Sequence, residues 1–136
     1  MTEYGFVREL DIDFQSAVDM VRARLADAGF GILMDIDVGQ KFHEKLGADI
    51  GNYLILGACD PVSACKAIFA EPNIGVMLPC NVIVYECSGK VIVAAIRPTM
   101  AMQMIDNLDL HRVARDVERR LKEVIDSLEP VEATAR

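Results

Sequence analysis

Two apolar runs flank Ser88-Gly89: Val82-Ile83-Val84-Tyr85 before it and Val91-Ile92-Val93-Ala94-Ala95-Ile96 after it. Short β-branched and aromatic runs on either side of a two-residue turn containing Gly predict a β-hairpin over 81–87 and 90–97. Successive side chains on a strand point to opposite faces. Runs this continuous therefore make both faces of the hairpin apolar, and helices packed on one face satisfy only half of it. A crossover helix of the same chain or a second copy must cover the rest. Two-fold homodimers are the commonest oligomers, so a homodimer that buries sheet surface is the expectation.

The remaining elements follow from periodicity and punctuation. Residues 3–10 alternate loosely and suit a first strand. Asp13 reads as the N-cap of a helix in which Phe14, Ala17, Val18, Val21, Leu25 and Ala28 recur at three-to-four spacing, and Gly29 supplies a left-handed stop. Residues 30–38 suit a second strand. Residues 40–46 suit a short helix with Phe42 and Leu46 on one side, ended by Gly47, and 52–58 a third strand. Asp60-Pro61 is the clearest local signal, because Asp is a preferred N-cap and Pro is favoured at the first helical position. The helix it starts is expected to bury Cys65, Ile68 and Phe69 and to stop near Pro72. Leu110, Val113, Ala114, Val117, Leu121, Val124, Ile125 and Leu128 form the apolar stripe of a last helix. The order β-α-β-α-β-α-β-β-α predicts an α+β two-layer sandwich with its helices mainly on one face of the sheet.

The 136 residues suit one domain over 1–128 with a frayed tail over 129–136. An apolar share of 52% excludes disorder, and the chain lacks the roughly 18 consecutive apolar residues of a membrane span. Lys plus Arg number 14 against 21 Asp plus Glu, a net charge of −7, which argues against nucleic acid or an anionic membrane as partner. Residues 1–9 lack the basic and apolar regions of a secretory signal, so a cytoplasmic address is expected.

Candidate chemistry centres on the cysteines. Cys59, Cys65, Cys80 and Cys87 form no C-x-x-C pair, which removes the strongest zinc and thioredoxin signatures, and no metal site is read from the spacing. Cys59 precedes the N-cap Asp60. A helix N-terminus stabilises a thiolate, whereas the Asp60 charge opposes one; the structural alternative is a small hydrophobe ending a buried strand. Cys80, in Leu78-Pro79-Cys80-Asn81, stands where a Pro-restricted loop leads into the hairpin, a common place for a site. Cys65 reads as core and Cys87 as an exposed strand end. His43 and His111 read as partly exposed surface residues. Met100, Met102 and Met104 suit gap-filling or dimer contact, with a thioether site for Cu(I) as the alternative. The mixed charges of the last helix suit a solvated face of i,i+4 pairs.

Leu54-Ile55-Leu56-Gly57-Ala58-Cys59-Asp60-Pro61 and Leu78-Pro79-Cys80-Asn81-Val82 resemble the hallmark stretches of the domain of unknown function family 302 (DUF302). The likeness runs through residues 4–128 and includes Lys45-Leu46-Gly47, Glu71-Pro72 and Ile96-Arg97-Pro98. The family more often has Asn where this chain has Asp60, and Asp where it has Arg97. The resemblance implies a two-layer α+β fold of small bacterial or archaeal proteins, seen as dimers, and implies that positions 59 and 80 share a thiol-bearing site. It gives no reaction, substrate or cofactor. Two functions stay open. One is a non-enzymatic dimeric module binding a small molecule or metal ion through Cys59, Asp60, Pro79, Cys80 and Asn81. The other is a thiol enzyme or redox sensor using Cys80, Cys59 or both.

Overall fold

The computed structural model describes residues 2–129; of the tail expected at 129–136, residues 130–136 lie outside the described residues. Five strands, β1 (Gly5–Leu10), β2 (Gly31–Asp37), β3 (Tyr53–Cys59), β4 (Cys80–Cys87) and β5 (Lys90–Ile96), form one antiparallel sheet in the order β1-β5-β4-β3-β2. The helices are α1 (Phe14–Asp27), α2 (Val38–Leu46), α3 (Pro61–Ala70), α4 (Pro98–Ala101) and α5 (Leu108–Asp126), with a 3-10 turn at Pro72–Met77. The fold is α+β, in the expected element order, with the 3-10 turn and α4 added.

Local signals account for the boundaries. Asp13 accepts from the Ser16 N–H at 3.0 Å and caps α1, and Gly29 leaves it at φ 92°. In the β4–β5 turn Ser88 and Gly89 have φ 52° and 78°, the two positive values that a type I′ hairpin requires.

One face of the sheet carries the core. Leu54, Leu56, Val82, Val84, Val91 and Val93 meet Val18, Val21 and Leu25 of α1 and Leu121, Val124 and Ile125 of α5. A second cluster of Ala67, Ile74, Met102, Leu110 and Ala114 joins α3, the 3-10 turn and α5.

α3 departs from expectation. Its buried residues are Ser63 and Ala67, while Cys65, Ile68 and Phe69 face outward, Phe69 with 84% of its surface exposed. Small side chains let α3 lie close against α5, and the Ser63 hydroxyl is satisfied by Asp60 Oδ2 at 2.6 Å. The helix is thereby rotated away from the face that hydropathy alone selects. Of Met100, Met102 and Met104, only Met102 is buried; Met104 is exposed.

The opposite face of the sheet matches the hairpin's second apolar side. The register links Val7 to Ala94, Ala94 to Ile83, Ile83 to Ile55 and Ile55 to Ile36, an apolar row across all five strands. These side chains are half-buried or exposed, beside a Tyr53–Tyr85 stack with ring centres 5.2 Å apart.

Candidate functional site

The end of β3 and the start of β4 meet at the seam between the two apolar clusters. Ala58 pairs with Cys80 in the sheet, so Cys59 and Cys80 lie one register step apart on neighbouring strands. Both line a cavity of about 30 Å³, together with Phe30, Asp60, Pro79 and Met102. That volume has room for a water molecule or a bare ion and none for an organic ligand.

Four of the five sequence candidates, Cys59, Asp60, Pro79 and Cys80, therefore border one cavity, although Cys59, next to the Ala58 that pairs with Cys80, turns its side chain to the other face of the sheet. Asn81 does not join them. As the next residue along β4 it points to the other face of the sheet, where it borders a groove of about 590 Å³ lined by Tyr4, Val7, Ile83, Tyr85 and Met100. This groove lies over part of the apolar row and is of a size that suits small molecules, roughly 300–1,000 Å³.

Electrostatics at the seam are dominated by Arg120 of α5, one of the mixed charges expected on a solvated face. Arg120 donates through Nη2 to Asp60 Oδ2 at 2.5 Å and to Ser63 Oγ at 3.0 Å, and through Nη1 to the Ala28 carbonyl at 3.2 Å. Its guanidinium lies over the Phe30 ring, 5.1 Å from the centroid, and contacts Asp116 at 3.2 Å. Asp60 Oδ1 accepts from the Val62 N–H at 3.2 Å and so caps α3 as expected. Burial pushes the Asp60 carboxyl up, but the hydrogen bonds from Ser63 and Arg120 and the Arg120 charge outweigh it and hold the group below the usual carboxylate range.

The thiols go the other way. Burial, and then the Asp60 charge, raises Cys59; burial, with a smaller effect of Cys59, raises Cys80 to about 11. Cys80 is buried and packs into the main core, whereas Cys87 is exposed as expected. Cys65 is exposed, which removes it from the core. His43 is exposed; His111 is half-buried, its Nε2 2.5 Å from the Ile105 carbonyl. Among the described residues, no three His, Cys, Asp or Glu side chains are grouped to hold a metal ion.

A second arginine holds α5 only two residues away from Arg120, at Glu118. Arg97 meets Glu118 at 3.4 Å and lies over Phe6, 5.7 Å from the ring centre, while Thr99 donates to Glu118 through its N–H and hydroxyl.

The model of the family described as "Domain of unknown function DUF302" matches residues 6–128. The chain belongs to the DUF302 family. A crystal structure of an uncharacterised conserved DUF302 protein from Bacillus stearothermophilus is similar at 27% identity and a TM-score of 0.85, over 92% of this chain and 98% of that one. No curated protein matches the chain. No helix among the described residues is long and apolar enough to cross a membrane.

Proposed function

We propose that this DUF302 chain is a non-catalytic, homodimeric binding module whose two copies meet across the open face of the sheet. The observation that carries the reading is the row Val7, Ala94, Ile83, Ile55 and Ile36, apolar from edge to edge and without a helix layer of the kind that covers the opposite face. Five strands about 4.8 Å apart, each of six to eight residues rising about 3.3 Å, present roughly 500 Å² in flat projection. Corrugation and the flanking Tyr4 and Met100 raise this towards the roughly 800 Å² per partner of a standard interface. A second copy laid there closes the groove around Asn81 and Tyr85. The enclosed space suits an uncharged, largely apolar small molecule oriented by a few polar groups.

The thiol-enzyme alternative draws no comparable support. A nucleophilic or sensing cysteine needs an accessible thiolate, whereas Cys80 is buried and both thiols are raised.

Light scattering at micromolar concentration tests the dimer. Twice the chain mass is expected, falling to a folded monomer in Ile83→Lys. A monomeric wild type, or an Ile83→Lys variant that stays dimeric, overturns the reading. Native mass spectrometry of the dimer against uncharged metabolites tests the ligand, and binding that persists undiminished in the Ile83→Lys monomer contradicts the closed groove.

A further inference from the structure

We propose that α2 is an exchanged arm: in the homodimer its Phe42–Leu46 face lies over the partner copy's groove beside Tyr4 and Tyr85, so that each ligand site is completed by the other chain. This rests on the dimer read from the open sheet face and adds what closes it. α2 is a well-formed helix. Asp37 Oδ1 accepts from the Gln40 N–H at 2.9 Å at its start, and Gly47 ends it at φ 68°. A Cβ at Gly39 would collide with the Gly51 carbonyl oxygen, so glycine lets the first turn sit tight against the returning chain. Yet no residue of α2 is buried. Val38, Phe42 and Leu46 recur at i,i+4 as one apolar stripe, with Phe42 41% and Leu46 75% exposed. Gln40 and Glu44 hydrogen-bond to each other at 3.0 Å on the opposite side. Short helices draw most of their stability from packing an apolar face, and the chain itself leaves this one uncovered.

Shape, area and charge select a second copy as the occupant. The sheet is nearly square, because five strands about 4.8 Å apart span about as far as strands of six to eight residues are long. α2 leaves the Asp37 end of β2, the corner diagonal to the one where Gly5 begins β1 and the groove lies. A two-fold axis between the sheets, along the diagonal from Leu10 to Gly31, exchanges those two corners. It crosses the strands of the two sheets at about a right angle, one of the two usual packings. Both α2 helices then meet both grooves at once, as an isologous interface demands. An axis along the strands would instead set α2 against the charged corner of Glu9, Asp11 and Lys90. The flat sheet face alone, roughly 500 Å², falls short of the roughly 800 Å² of a standard partner surface, and α2 is the adjoining apolar surface that makes up the difference. Lys41 and Lys45 flank the stripe and are opposite in charge to Glu3, which lines the groove.

The test uses full chains carrying Cys65→Ser and Cys87→Ser, which lack the two exposed thiols. Each receives one further substitution, Tyr4→Cys or Leu46→Cys, and the two are refolded together and treated with a short bis-maleimide. The mixture is expected to yield a cross-linked dimer whose peptides join position 4 to position 46, in clear excess over either chain alone. A 46–46 link in its place, or no link, overturns the exchange. Independently, Phe42→Ser with Leu46→Ser is expected to raise the dimer dissociation constant at least about tenfold by sedimentation, since each change occurs twice in a two-fold dimer. Both side chains lie outside the core, so this variant keeps the helical circular dichroism of the wild type. A dimer indifferent to these two changes overturns the arm and leaves the sheet-face dimer standing, whereas a monomeric wild type at micromolar concentration removes both.

Discussion

Removing the charge of Asp60 is the sharpest perturbation of the seam. Asp60→Asn keeps an oxygen to cap α3, since Asn caps as well as Asp, and deletes the ion pair with Arg120. The pair is 2.5 Å long, with the Arg120 and Asp60 side chains 19% and 14% exposed, which places it between two limits. Exposed pairs are worth about 0.2–1 kcal/mol, and orphaning one partner of a fully buried pair costs about 3–5 kcal/mol. A charge-assisted hydrogen bond, about 1.5–3 kcal/mol, is the closest analogue, so Asp60→Asn is expected to cost about 2 kcal/mol. At roughly 3–5 °C per kcal/mol for a chain of this size, Tm falls by roughly 6–10 °C. Arg120→Met also loses the bonds to Ser63 and Ala28 and the contact over Phe30, and is expected to cost about 3 kcal/mol. Urea denaturation of both single variants and the double variant closes a thermodynamic cycle, with an expected coupling of about 1.5–2 kcal/mol. The pH dependence has a definite sign. Because the Asp60 carboxyl is held low, its contribution is complete above the ordinary carboxylate range and is lost as pH falls through its folded value. Wild type and Asp60→Asn therefore converge on acidification. A coupling below about 0.5 kcal/mol, or a gap that widens in acid, refutes the reasoning.

Native alkylation followed by peptide mass spectrometry is expected to label Cys65 and Cys87 first and Cys80 last, because Cys80 is buried and raised to about 11; early labelling of Cys80 contradicts its placement. Phe69→Ser is expected to shift stability by less than about 0.5 kcal/mol, whereas Leu110→Ala in the second cluster costs about 2–5 kcal/mol by urea denaturation. Ser88→Asn is expected to raise the urea midpoint, a gain of about 0.5 kcal/mol, because Asn tolerates the positive φ at this turn better than Ser.

What the sequence disclosed and what it hid divide along the range of the interactions involved. The β4–β5 hairpin, the Asp13 and Asp60 caps and the glycine stops are local, and each was readable from a few neighbouring residues. The face of α3 was not. Hydropathy favours Cys65, Ile68 and Phe69, but the close approach to α5 is made by Ser63 and Ala67, and only the neighbouring helix decides that. Arg120 was hidden for a similar reason. Its pairing with Asp116 is local, but its partners Asp60, Ser63, Ala28 and Phe30 lie far off in the sequence. The alternation rule separates Asn81 from Cys80, since neighbouring strand residues face opposite ways even though they are adjacent in the chain.

The strand order carries a consequence for how the protein is made. β1 pairs only with β5, so Gly5 meets Ile96 and Leu10 meets Val91. During synthesis the first strand to leave the ribosome has no partner until β5 has emerged. The β3-β4-β5 meander joins strands that follow one another in the chain, and can form while α5 is still being added. Closing the β1 edge is thus a late, long-range event. Until it happens, Phe6 and Leu10 stay in water, and the nascent chain exposes the strand edge on β5 that β1 will later take.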